Sequence, residues 1–159
     1  MPGENAFLPF LSLDLVSAGL RLLAALVLGG LIGLERESHA RAAGLRTHIL
    51  VSLAACLFTL LAFELLAMPS TEEERLQFDP LRLIEAVTAG VAFLAAGTII
   101  TTGDKVRGVT TGAGMWLAGA IGLACGTGQI VLGGIAALLG LIVLWLLRYV
   151  KPALGSHHE

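Results

Sequence analysis

From Val16 to Val150 the apolar residues run in five long blocks separated by short polar connections. None of the blocks alternates with the period of two that a strand crossing a membrane requires, so each is read as a helix. A hydrocarbon core of about 30 Å takes roughly 20 apolar residues as helix. The blocks at about residues 15–34, 47–68, 80–100, 110–125 and 130–150 approach that length, and the fourth is the shortest and richest in glycine. The pattern predicts an all-α, polytopic transmembrane helical bundle of about five spans, forming one domain over residues 1–159.

Composition agrees with the pattern. Apolar residues make up 56% of the chain and charged residues 14%, and the mean hydropathy is +0.86. A soluble domain of this size could not hide that much apolar surface, so membrane lipids are the expected surroundings. The net charge of −2 provides no basic field for nucleic acid. Cys56 and Cys125 lie inside apolar blocks and read as small interior residues. The first charges, Glu4 and Asp14, are acidic, so no cleavable leader is expected. His157 and His158 in GSHHE are too isolated to predict a metal site, and no cofactor is expected.

The charges between the blocks set an orientation. Arg36, Arg41 and Arg46 occupy the first connection, Lys105 and Arg107 the third, and Arg148 and Lys151 the end of the last block. The second connection is acidic, with Glu72, Glu73, Glu74 and Asp79 against Arg75 and Arg82, and the fourth, GTGQ, is uncharged. Five spans bring the basic regions to one side, which the positive-inside rule makes cytoplasmic. The N-terminus is then outside and the C-terminus inside.

Local signals mark the helix ends. Asp79-Pro80 is an N-cap followed by proline at the first helical position. Gly44 ends a helix that continues from the first span through ERESHARAA, with Glu37 and Arg41 paired on its surface. Thr47 and either Thr110 or Thr111 are placed to cap the second and fourth spans. Gly29/Gly33, Gly108/Gly112 and Gly122/Gly126 form GxxxG pairs, which predict close helix packing and a homodimer through glycine-rich helices.

Charges inside spans are the candidate chemistry. Arg21 either snorkels outward or meets Asp14, and Glu64 reaches the headgroups. Asp79, Arg82 and Glu85 form an outer-side polar cluster. There Arg82 and Glu85 make a local ion pair, or Glu85 offers a cation or proton site open to that side. On the cytoplasmic side Glu35, Arg36, Arg46, Thr47, Arg107, Thr110 and Thr111 form a second cluster. Two helix N-termini with adjacent arginines can hold a phosphate, a lipid headgroup or an acidic segment of a partner; Glu35 can equally close a salt-bridge network there. Gly30 before Arg46 and Gly90 before Arg107 hint at a duplicated helix, basic loop and helix. No Ser/His/Asp set, HExxH, P-loop or CxxC is present, so no catalytic residue is expected.

The stretches GGLIGLERE (29–37), AGLRTHILV (43–51), DPLRL (79–83), GVAFLAAGTII (90–100), VRGVTTGAGMW (106–116) and AIGLACGTG (120–128) resemble the MgtC/SapB membrane proteins. The resemblance covers roughly residues 25–130. It implies a small polytopic protein of the bacterial cytoplasmic membrane with a regulatory, magnesium-linked role, possible contact with another membrane complex, and no catalysis. Ion transport by an oligomer is the alternative. It also implies importance for Glu35, Arg36, Arg46, Thr47, Asp79, Arg107, Thr110, Thr111 and Trp116. The chain ends soon after the fifth block, so the resemblance is to the membrane domain without the soluble C-terminal domain that some members carry. Ala92 and Ala95 stand where the family often has glycine, and Glu85 beside Ala86 is unusual for it.

Overall fold

The computed structural model describes residues 14–37, 43–67, 79–103 and 105–154, with the backbone alone for residues 147–154. Five helices follow one another: α1 (Leu15–Glu37), α2 (Leu45–Ala67), α3 (Pro80–Gly97), α4 (Val109–Gly126) and α5 (Ile130–Leu154). Four of them, α1 to α4, are long and apolar enough to cross a membrane, and α5 carries the apolar stretch Ile130–Leu146. The protein is a multi-pass membrane protein. Glu4, His39, Arg41, the run Glu72–Arg75 and the pair His157–His158 lie outside the described residues, as do the side chains of Arg148 and Lys151.

Glycine sets how the helices meet. On α1, a Cβ at Gly33 would lie 2.8 Å from Leu45 Cα, and one at Gly29 would lie 2.5 Å from Ser52 Cβ. Rising numbers on α1 therefore face falling numbers on α2, and the two helices run antiparallel. On α4, a Cβ at Gly122 would come 2.2 Å from the Ser52 carbonyl oxygen, and one at Gly126 would come 2.5 Å from Thr59 Cβ. Here the numbers rise together, so α2 and α4 run parallel with their backbones nearly touching. Two GxxxG pairs are thus consumed inside one chain, as close packing requires. Gly112 packs on Ala95 of α3, and Gly140 of α5 packs on Leu117. The core lies between α1, α2, α4 and α5 around Ala25, Ile32, Cys56, Ile121, Cys125 and Ala137, with a second cluster of Val51, Ala55, Val87, Val91, Met115 and Ala118 beneath α3.

This alternation gathers the C-termini of α1 and α3 and the N-termini of α2 and α4 at one end of the bundle. The first and third basic connections therefore share an end, as five spans demand.

The third connection differs from the expectation. The helix stops at Gly97 rather than at residue 100, and Ile100–Thr102 pairs antiparallel with Lys105–Arg107, Ile100 opposite Arg107. Thr98 ends α3 with its hydroxyl donating to the Ala95 carbonyl at 2.7 Å. Gly103, at φ +58°, turns the hairpin, and the β-branched run Ile99–Thr102 suits the extended arms.

Two predicted caps also move. Thr47 lies inside α2, and Glu37 Oε2 instead accepts the Leu45 amide at 3.0 Å. That carboxylate occupies the space where Gly44 would carry a Cβ. Thr110 and Thr111 lie inside α4, whose N-cap is Gly108 at φ +90° with no side-chain cap bond. At the other end Asp79 does cap α3, accepting the Leu81 amide at 2.9 Å ahead of Pro80.

Candidate functional site

The end where the basic connections meet has a buried interior and an exposed ring. Arg36 is 5% exposed and forms an ion pair with its neighbour Glu35. One turn into α2, His48 is fully buried. Its Nδ1 donates to the Gly44 carbonyl at 2.8 Å, a partner that only accepts. In the neutral ring Nε2 is then an acceptor. It faces α4 across Gly114, where a Cβ would lie 3.0 Å from Nε2 and 3.9 Å from Arg36 Cδ. Neither His48 Nε2 nor the buried Ser52 Oγ finds a partner among the described residues. Thr111, 3% exposed, sits one turn below Gly114 on the same α4 face.

The ring consists of the remaining cations. Arg46 and Arg107 are exposed, as are Lys105 and Thr110, while Thr47 is half-buried. Among the described residues neither Arg46 nor Arg107 forms an ion pair. The seven residues grouped by sequence therefore divide. Glu35, Arg36 and Thr111 turn inward, and Arg46, Arg107 and Thr110 turn outward.

The opposite end also departs from expectation. Arg21 does not meet Asp14. Its Nη1 donates to the Gly126 carbonyl at 2.9 Å, placing a cation at the C-terminus of α4, where the helix dipole favours it. Asp14 accepts the Ser17 amide at 3.2 Å instead. Glu64, expected at the headgroups, is 9% exposed. Arg82 and Glu85 are both exposed and do not pair with each other.

His48 and Ser52 were missed as functional candidates. The available signal was their place on one face of α2 with Ala55 and Thr59, at steps of four, three and four. That row puts polar groups where a core-facing helix carries apolar ones.

The MgtC family model matches residues 22–153, which take in all of α2 to α4, nearly all of α5 and α1 from its third turn onward. The chain belongs to the MgtC family. It is 41% identical over 110 residues to Protein MgtC of Salmonella typhimurium, covering 69% of this chain and 43% of that protein. It is 33% identical over 129 residues to the "Putative magnesium transporter YhiD" of Escherichia coli K12, covering 79% of this chain and 58% of that protein. An uncharacterized Haemophilus influenzae protein is 33% identical over 123 residues, covering 77% of this chain and 52% of that protein. The chain thus spans about half the length of the curated relatives it matches. No solved structure matches. Within this MgtC-family chain the matched region holds both the buried Arg36–His48 interior and the ring around it.

Proposed function

We propose that this protein is a regulatory component of magnesium-linked homeostasis in a bacterial inner membrane. In this reading it acts by binding another membrane component through the basic end, which faces the cytoplasm. The observation that carries the proposal is the division of the arginines. Arg36 is buried and already paired, whereas Arg46 and Arg107 stand exposed and unpaired among the described residues. Structure-holding cations are inside; the outer ones are available to an anionic surface, whether lipid headgroups or an acidic segment. The MgtC and YhiD resemblances support the magnesium link. No reacting group is required.

The test is a double charge reversal, Arg46→Glu with Arg107→Glu, in protein carrying tags at both termini. The expected result is loss of a membrane component that crosslinks to the wild type, with thermal stability unchanged. Wild-type crosslinking by the double variant overturns the reading.

A second reading, ion transport by an oligomer, draws on Glu64, a carboxylate buried in an apolar span. Purified protein in liposomes distinguishes the two. Regulation predicts no Mg²⁺, proton or small-anion flux above empty vesicles, and saturable flux that falls on Glu64→Gln would establish transport instead.

A further inference from the structure

The third helix is attached to the bundle by a narrow strip. Only Val87 and Val91 of α3 are buried, and both point toward α2 and α4. The face turned away carries Arg82, Glu85, Ala86, Ala89, Ala92, Phe93 and Ala96, all exposed. Lipid tails solvate Phe93, 81% exposed, at no penalty, so apolar exposure alone says nothing about a partner. Glu85 is different. It lies five residues beyond Pro80, about 7.5 Å along the helix, and its short side chain faces away from the protein. Neither Arg82 nor Glu85 has an ion-pair partner among the described residues. Ionisable groups on spanning helices nearly always turn toward protein or water, because lipid cannot satisfy them.

We propose that α3 packs against α3 of a second copy about a two-fold axis along the membrane normal, with Arg82 of each copy pairing with Glu85 of the other. The face is self-complementary in charge. A two-fold contact places the same patch on both sides, so one cation and one anion a turn apart provide two reciprocal pairs. Below them, alanines at 89, 92 and 96 allow two backbones to approach closely. The GxxxG pairs at 29/33 and 122/126 cannot serve this role, because α2 already fills them.

Cysteines at exposed positions test this in native membranes, since Cys56 and Cys125 are buried. Ala92→Cys and Ala96→Cys are expected to give a homodimer band on oxidation that Leu139→Cys, exposed on α5, does not give. In lipid nanodiscs Glu85→Arg is expected to lower the dimerisation constant roughly tenfold, and Arg82→Glu with Glu85→Arg is expected to restore it. A heterologous partner crosslinked at Ala92→Cys in place of a second copy overturns the proposal. So does a Leu139→Cys band as strong as that of Ala92→Cys, or failure of the double swap to restore dimers.

Discussion

Arg21 and Gly126 are 105 residues apart in sequence and are joined by a 2.9 Å hydrogen bond from guanidinium to carbonyl. Around that bond the end of α4 follows a Schellman pattern. The Gly128 amide donates to the Cys125 carbonyl and the Gln129 amide to the Ala124 carbonyl, with Gly128 at φ +84°. The Gly126 carbonyl is taken by Arg21 from α1. The bond thus ties the start of the first helix to the end of the fourth.

Arg21→Ala is therefore expected to destabilise the protein by about 1.5–3 kcal/mol, the range for a hydrogen bond with a charged partner. Thermal unfolding in detergent with a thiol-reactive dye measures this, because Cys56 and Cys125 are shielded until the core opens. Wild-type melting of Arg21→Ala would assign the side chain to the surface.

Glycines of similar sequence context should differ sharply. Gly122→Ala places a methyl group 2.2 Å from the Ser52 carbonyl oxygen, where two backbones would have to part. A loss of at least about 1–3 kcal/mol is expected for such overpacking. Gly19 and Gly134 have nothing within 4 Å of a Cβ, so alanine there should be neutral or stabilising by up to about 1 kcal/mol. The same thiol-dye assay ranks all three.

The hairpin offers a comparison at two left-handed glycines. Gly103, at φ +58°, has open space around a Cβ, while at Gly108, φ +90°, a Cβ would meet the Thr98 carbonyl oxygen. Gly103→Asn should be tolerated, since asparagine visits this region. Gly108→Asn should detach the hairpin from the start of α4, seen as faster proteolysis between residues 98 and 109.

Ser52 is expected to be far less sensitive to alanine than Thr59 on the same face. Its hydroxyl is buried without a partner among the described residues, so Ser52→Ala should cost less than about 0.5 kcal/mol or stabilise. Thr59 donates to the Ala55 carbonyl at 2.8 Å, and Thr59→Ala should cost about 1–2 kcal/mol through that bond and the lost methyl group. A larger loss at Ser52 than at Thr59 would reveal a bound water on the Ser52 hydroxyl.

The helices were readable because membrane spans need long apolar runs, and the glycine pairs at 29/33 and 122/126 correctly forecast close packing. The Asp79-Pro80 cap was readable because its signal is local. What escaped depended on distant contacts. Arg21 finds a carbonyl that only the fold brings near. Glu37 caps α2 because the chain doubles back over Gly44. His48 turns inward because α4 offers Gly114 opposite it. The hairpin was hidden because three-residue strands leave no periodicity to detect. At the candidate site, sequence grouped Arg36, Arg46 and Arg107 at one end but could not say which face each occupied, and burial then separated Arg36 from Arg46 and Arg107.

The near-contact of the α2 and α4 backbones restricts how the helices can shift against one another. With glycine against carbonyl oxygen there is no slack for sliding or piston motion at the centre. Any relative movement of the helices is then easiest at α3, which buries only Val87 and Val91 against its neighbours.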